Sequence, residues 1–481
     1  MAKPRYAVRT YGCQMNVHDS QKLENLLCHA GYEAASSEDS ADLLLVNTCS
    51  IRDKAEQQLY SDLGRLGLWK DEAPGRAIGV GGCVAQQVGD RILKRFPKVD
   101  FVFGTHNLRL VPAMASAARD GHRSVELSEN ASLERFALPA AHPGWVSPTP
   151  GRAFVTVMEG CDMFCSFCIV PRTRGREISR PANDILEEAR AKSAAGVREI
   201  TLLGQTVNAY GRHDVRRGKA QQTGSMPFAE LLGQLDALPG LSRIRYTSPH
   251  PLFFDADLVR AHAELEALCP HGHLPVQSGA DAVLERMRRR YTRAQYLRLV
   301  GDLRQARPDI VLTSDLIVGF PGETEEDFRQ TLSLVEEAGF VDHYSFKYSA
   351  RPGTTAIDFD GEVPPEEAQE RLLRLQELQR NLTFDYHRRR VGQRTPVLVE
   401  GESRRGGGQL CGRDPYHRVV NLADHDESLH SGDILPVDLV EATPHSLIGV
   451  PAGSHPARES SPAARDLLWV DGAPRGPAGA A

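Results

Sequence analysis

The sequence predicts an α/β protein in three parts: an N-terminal doubly wound parallel sheet, a central partial (β/α)6 barrel and a small C-terminal antiparallel β-barrel. Three observations predict it. Apolar strands alternate with amphipathic helices over about the first hundred residues. The same alternation resumes near residue 151 and gives six strand–helix units. After a long helix that ends near residue 390, short strands and turns take over.

In the first part, Tyr6–Arg9 reads as a strand ending at Gly12-Cys13. Asp19 is placed to cap a helix with Leu23, Leu26, Leu27 and Ala30 on one face, closed by Gly31. Asp42–Val46 is a continuous apolar run of the buried type and ends at Asn47-Thr48-Cys49. Its helix sets Leu59, Leu63 and Leu66 on one face, and Ala77–Val80 is a third strand ending at Gly81-Gly82-Cys83. The periodicity fades from about residue 116. The boundaries predicted are an N-terminal domain over 4–118 and a Pro-containing linker over 119–150.

Candidate strands of the central part are 153–158, 199–203, 243–248, 273–277, 310–318 and 343–348, within a domain spanning 151–387. A helix over about 364–390 ends in Arg388-Arg389-Arg390. The terminal barrel, 388–451, is expected from strands Pro396–Glu400, Arg418–Asn421, Ile434–Leu439 and Ser446–Val450. Residues 452–481, rich in Pro, Ala, Gly and Ser, are expected to be disordered.

Composition narrows the function classes. No run of about eighteen apolar residues exists, and the first residues lack a secretory signal, so the expected compartment is the cytoplasm with no membrane partner. There thiols stay reduced, so nine cysteines point to metal ligation or catalysis before disulfides. A net charge of -6 excludes indiscriminate nucleic-acid binding and leaves any RNA contact to local basic patches.

The strongest chemical signal is Cys161-Asp162-Met163-Phe164-Cys165-Ser166-Phe167-Cys168, in a loop after strand 153–158. A structural zinc site wants four protein ligands, often as pairs of CxxC. Three cysteines together with no fourth nearby suit a four-iron cluster with one iron left open. A zinc loop completed by a distant cysteine is the bland alternative. Cys13, Cys49 and Cys83 form a second group, spaced by 36 and 34 residues, about one strand–helix unit each time. In a parallel sheet the carboxyl ends of strands share one edge, where ligands bind, so these three can converge on a second metal site. Gly12 and Gly82 would let the backbone come close to such a group. Three unrelated core cysteines are the alternative.

The CxxxCxxC loop at the head of a barrel resembles the radical S-adenosylmethionine (SAM) superfamily. Thr10-Tyr11-Gly12-Cys13-Gln14-Met15-Asn16, Asn47-Thr48-Cys49-Ser50-Ile51-Arg52 and Gly81-Gly82-Cys83 resemble the N-terminal domain of the methylthiotransferases. So do His273–Gly279, Asp315–Thr324 and Ser349–Thr354. The wording around the first two cysteines resembles the branch of tRNA-2-methylthio-N6-dimethylallyladenosine synthases. Arg172 departs from the tyrosine common at that position, and Cys28, Cys269 and Cys411 match no motif.

The resemblance implies two [4Fe-4S] clusters, one on Cys13, Cys49 and Cys83 and one with SAM on Cys161, Cys165 and Cys168. It implies reductive cleavage of SAM to a deoxyadenosyl radical and methylthiolation at C2 of the dimethylallylated adenosine beside the anticodon. The partners implied are the tRNA anticodon loop, a low-potential electron donor and a sulfur source. Phe167 matches the aromatic position that lies against the adenine of SAM, or is simple core packing. Gln205, Ser248, Gln277 and Ser314, near strand ends, are candidates for SAM or substrate contact, or plain polar caps. The terminal barrel resembles the TRAM domain, an RNA-binding module, where Arg413, Tyr416, His417 and Arg418 could meet phosphate and base. Arg288–Arg290 and Arg388–Arg390 could add phosphate contacts, or be solvated faces. Competing functions are methylthiolation of the threonylcarbamoyl form of adenosine in tRNA, methylthiolation of a ribosomal protein, and a non-enzymatic iron–sulfur RNA sensor.

Overall fold

A computed structural model describes residues 3–50, 53–145, 147, 149–403, 408–423 and 428–453 of the chain. Most of the expected tail, and Ile51-Arg52 of the second cysteine motif, lie outside the described residues.

The N-terminal layer is a parallel sheet of six strands: β1 (Arg5–Tyr11), β2 (Glu33–Ala34), β3 (Leu43–Thr48), β4 (Ala77–Gly82), β5 (Phe101–Phe103) and β6 (Ser124–Glu126). Their order in space is β2-β1-β3-β4-β5-β6. All six residues of β3 are buried. Leu43 and Leu45 pack on one face with Leu23 and Leu27, while Leu44 and Val46 pack on the other with Leu59 and Leu63. Alternation at period two thus feeds two cores, as a sheet covered on both faces requires. Each such leucine contributes about 1.5–3 kcal/mol by leaving water.

Asp19 is not the expected cap. The first helix runs Gln14–His29, its N-cap position is Cys13, and Asp19 is buried inside it. Residues Gln14–Val17 carry no capping signal, so sequence reasoning started the helix a turn late. The expected linker is also corrected at its start: β6 completes the sheet and Leu133–Phe136 is a 3-10 turn. A three-residue edge strand is too short to show a period.

The central part is an open arc of six parallel strands in two sheets. The first sheet holds β7 (Arg152–Thr156), β10 (Glu199–Leu203) and β11 (Arg243–Tyr246), with a small antiparallel ribbon of β8 (Met158–Glu159) and β9 (Ile178–Ser179) beside it. The second holds β12 (His271–His273), β13 (Val311–Val318) and β14 (Asp342–Lys347). One parallel bridge, Ile244 to Leu268, joins the halves. The helices between are set by local signals. Thr324 and Asp327 close a capping box at the start of Glu325–Ala338, and Gly339, with φ 54°, ends it in the left-handed conformation.

Helix Pro365–Arg390 packs along β14 and leads into a closed barrel of β15 (Arg394–Glu402), β16 (Leu410–Arg413), β17 (Val419–Leu422), β18 (Ile434–Ala442) and β19 (Leu447–Pro451). The expectation named four of these strands and missed β16, whose sequence Leu-Cys-Gly-Arg is too short and mixed to alternate. The pairs are antiparallel except β17 with β19, the parallel seam that closes the barrel.

Candidate functional site

In the N-terminal sheet the strand order reverses between β1 and β3, since β2 lies beyond β1. The topological switch point, where open α/β sheets bind ligands, is therefore at the carboxyl ends of β1 and β3. Cys13 and Cys49 follow those two ends, and Cys83 follows the adjacent β4. Gly12 has φ 128°, and a side chain there would collide with the Cβ of Cys49. Gly82 has φ 91°, and a side chain there would strike Asn47 and Thr48. Both turns need glycine to bring the three cysteines together.

Cys161, Cys165 and Cys168 stand on the loop after β8 and pack as one group with Met163 and the half-buried Phe167. The loop is gripped from outside: Ser166 donates from its backbone N–H to Met287 O (3.1 Å) and from its hydroxyl to Arg286 O (2.8 Å). Both cysteine trios line one cavity of about 340 Å³ between the sheet and the mouth of the arc. Among the described residues no trio closes tightly enough for a single metal ion. Three thiols with no fourth protein ligand beside them are the donor set that suits an iron–sulfur cluster with one iron left open.

Burial and nearby donors pull the cysteine thiols of the cavity in opposite directions. A hydrogen bond with Cys49, aided by the Arg174 guanidinium, brings the Cys13 thiol down to about 6 against the effect of burial. Burial pushes Cys83 up, and Arg174, which hydrogen-bonds it, pulls the other way. Burial also pushes up Cys161 and Cys168. The Thr206 hydroxyl lies 3.0 Å from Cys161 Sγ, and Arg289 Nη1 donates to Cys165 Sγ at 3.6 Å. Ligation requires thiolates; the donors and Arg174 favour them, while burial at Cys83, Cys161 and Cys168 opposes them.

Among the expected SAM or substrate contacts, Gln205, Ser248 and Gln277 line the cavity with Phe167. Gln205 accepts from Gly160 N–H, but its buried Nε2 has no partner. Ser248 (φ 58°) and Gln277 (φ 78°) hold a left-handed backbone that costs free energy in any residue but glycine and is found where function requires it. Phe167 also packs edge-on to Phe320, with ring centroids 6.5 Å apart, so packing and cavity contact coexist. Ser314 is corrected: it is fully buried outside the cavity, donating to Leu274 O (3.0 Å) and accepting from Val276 N–H (3.0 Å). It sits inside β13, where a hydroxyl can only satisfy neighbouring backbone.

The group of the terminal barrel expected to meet RNA makes contacts within the protein. Arg413 pairs with Glu400 (3.0 Å), and the Tyr416 hydroxyl donates to Asp309 (3.1 Å). His417 packs on His271, and Arg418 pairs with Asp342 (3.1 Å). His417 and Arg418 also line the cavity. Neither arginine run is a single charged face: Arg289 is buried beside Cys165, and Arg390 is buried against Asp414 (3.0 Å). Cys28, Cys269 and Cys411 do not line the cavity.

Sequence reasoning missed Arg174, Thr206 and His250, and named Arg289 only within the run Arg288–Arg290. His250 also lines the cavity, and burial together with Arg289 and Arg290 brings it down to about 2, so it is neutral. Its Nδ1 accepts from Leu252 N–H (3.2 Å), which leaves the proton on Nε2, buried and without a partner. The available signal was placement: Thr206 and His250 directly follow strands, and Arg174 and Arg289 follow cysteine or barrel motifs.

Three family models match the chain: "Uncharacterized protein family UPF0004" over residues 5–104, "Radical SAM superfamily" over 155–335 and "TRAM domain" over 388–452. A protein of Geobacter metallireducens named tRNA-2-methylthio-N(6)-dimethylallyladenosine synthase is 48% identical over 92% of this chain and 97% of its own length. One of the same name from Streptomyces griseus is 45% identical, over 92% of this chain and 86% of its own length. Among solved structures, the radical SAM methyltransferase TsrM of Kitasatospora setae, with cobalamin and a [4Fe-4S] cluster bound, superposes with a TM-score of 0.54. It is 15% identical, with 74% of this chain and 77% of that chain covered. At that identity the likeness concerns the fold.

Proposed function

The chain belongs to the family of tRNA-2-methylthio-N(6)-dimethylallyladenosine synthases, and we propose that each of its cysteine trios holds one [4Fe-4S] cluster. It is a radical SAM methylthiotransferase that converts N6-(dimethylallyl)adenosine in tRNA to the 2-methylthio form. The target is the adenosine immediately 3′ of the anticodon, in a single-stranded loop whose bases can be unstacked and presented to a barrel mouth. The observation that carries the reading is that six cysteines from two domains face one cavity.

Bound there, the clusters and SAM supply radical chemistry for a C2–H bond that acid–base catalysis cannot activate. The residues do the rest. Cys161, Cys165 and Cys168 would hold the cluster that takes SAM, with one iron free of protein ligands. Gln205, Ser248, Gln277 and Phe167 would contact SAM or substrate from the cavity wall, and His250 stays a neutral donor. Cys13, Cys49 and Cys83 would hold the second cluster, which would supply sulfur. Radical chemistry at that carbon would need water kept out of the cavity.

Among the described residues no helix is long and apolar enough to cross a membrane. The cytoplasm, where tRNA, a low-potential reductant and a sulfur source are at hand, is the compartment we assign.

The test offers the purified, reduced enzyme SAM and two tRNAs, one prenylated and one threonylcarbamoylated, and reads nucleosides by mass spectrometry. The prenylated tRNA should gain the methylthio group. Reaction of only the threonylcarbamoylated tRNA would overturn the substrate, since a pocket built for a carboxylate rejects a prenyl group strongly.

A further inference from the structure

Arg289 has no role in the reading above, yet it is placed with unusual care. The run Arg288-Arg289-Arg290 leaves helix Asp281–Arg286 through a reversed backbone: Arg288 has φ 58° and Arg290 has φ 61°. The two residues that flank Arg289 thus both hold left-handed backbone, which costs free energy in any residue but glycine. Their effect is to leave Arg288 and Arg290 in solvent while Arg289, only 5% exposed, turns into the barrel. There Nη2 donates to Pro275 O (2.8 Å), Nε donates to the Tyr291 hydroxyl (3.0 Å) and Nη1 reaches Cys165 Sγ (3.6 Å). Tyr291 is itself fixed by donating to Val276 O (2.8 Å). The same segment holds the cysteine loop through Ser166, so the spacing between guanidinium and sulfur is set by several bonds rather than by one flexible side chain.

A buried guanidinium has to be paired, and among the described residues no hydrogen bond or ion pair joins Arg289 to a carboxylate. The counter-charge available is the sulfur of Cys165. We propose that Arg289 is a positioning residue of the SAM-binding cluster: it holds the Cys165 thiolate and, as a fixed positive charge donating to a ligand sulfur, raises that cluster's reduction potential. This rests on the cluster assignment to Cys161, Cys165 and Cys168. The physical reason is that reduction adds negative charge to the cluster, and a buried cation beside a ligand favours the more negative state. Hydrogen bonds to ligand sulfurs and local charge are the main means by which proteins set such potentials.

The experiment is a potentiometric titration of the full-length, iron-reconstituted protein followed by electron paramagnetic resonance, with and without SAM. The signal that changes on adding SAM identifies the cluster to be read. Wild type lacking any SAM-sensitive signal would overturn the cluster assignment itself. Given that signal, R289M should keep its iron and show the SAM-sensitive couple at a lower potential than wild type. Should R289M lose iron, R289K carries the test. Lysine keeps the charge but cannot reach Cys165, Tyr291 and Pro275 together, so its couple should move in the same direction by less. An unshifted couple in an iron-replete variant overturns the proposal, since a merely structural arginine would change cluster content and not its potential.

Discussion

Asp19 and Arg174 form an ion pair of 2.6 Å, with side chains 2% and 3% exposed, across the boundary between the N-terminal sheet and the barrel. Burial opposes the charge on Arg174, but Asp19, Cys83, Glu159 and Cys13 outweigh it and hold the guanidinium firmly protonated. One arginine therefore joins two domains and faces two cysteines of the first trio. Removing one partner of such a pair strands a buried charge and costs about 3–5 kcal/mol. D19N should lower the unfolding free energy by that order and loosen the second cluster, read as iron per chain after reconstitution. Wild-type stability with full iron would show that the pair is incidental.

The two trios should separate the reaction into parts. Replacing Cys161, Cys165 or Cys168 by Ala should abolish formation of 5′-deoxyadenosine from SAM. The triple Ala variant of Cys13, Cys49 and Cys83 should still form it but yield no methylthiolated tRNA. Chromatography of the small products and mass spectrometry of the tRNA check both. Methylthiolated product from the N-terminal variant would remove the sulfur-delivering role.

What the sequence made legible was what neighbouring residues decide. Asp42–Val46 reads as a buried strand because four apolar residues in a row leave little else, and Cys49 then falls at its end. Cys161, Cys165 and Cys168 are close in the chain and need no fold to meet. Arg289 was illegible because its direction is set by left-handed backbone at Arg288 and Arg290, which arginine does not advertise. The packing of His417 and Arg418 was illegible because basic residues beside an aromatic look alike in solvent and at an interface. Their partners, His271 and Asp342, lie far away in sequence. Asp19 misled for the same reason: its partner Arg174 is 155 residues on.

A pH effect should come from His262. It is fully buried on helix Ala256–Glu264, 2.5 Å from the Tyr246 hydroxyl. Burial, with a smaller push from Arg307, lowers it from its ordinary 6.5 to about 4. Because the folded value lies below the unfolded one, its contribution is complete above about pH 6.5 and is lost as pH falls toward 4. The loss amounts to roughly 3 kcal/mol at one pKa unit per 1.4 kcal/mol. H262Q should flatten that part of the stability profile in urea unfolding between pH 6.5 and 4. A variant as acid-sensitive as wild type would place the effect elsewhere.

The terminal barrel gives the last prediction. From sequence, deleting the chain after about Arg390 is expected to weaken tRNA binding more than SAM cleavage, since the barrel holds no cysteine of either trio. The packing argues for a different outcome. Arg243 donates to the carbonyls of Arg413 (2.9 Å) and Pro396 (2.8 Å), and Arg245 donates to that of Asp414 (2.9 Å). Both arginines are buried around Glu199, itself 1% exposed. Truncation removes these acceptors, and each buried charge-assisted bond left unmade costs about 1–3 kcal/mol or more. It also removes His417 and Arg418 from the cavity wall, admitting water to a site whose chemistry needs it kept out. The truncated chain should therefore unfold at lower temperature and lose SAM cleavage along with tRNA affinity. R418Q separates wall from scaffold: it keeps the barrel, opens the contact with Asp342, and should reduce methylthiolated product per 5′-deoxyadenosine formed while tRNA affinity holds. A truncated chain that folds and cleaves SAM at the wild-type rate would return the barrel to a purely RNA-binding role.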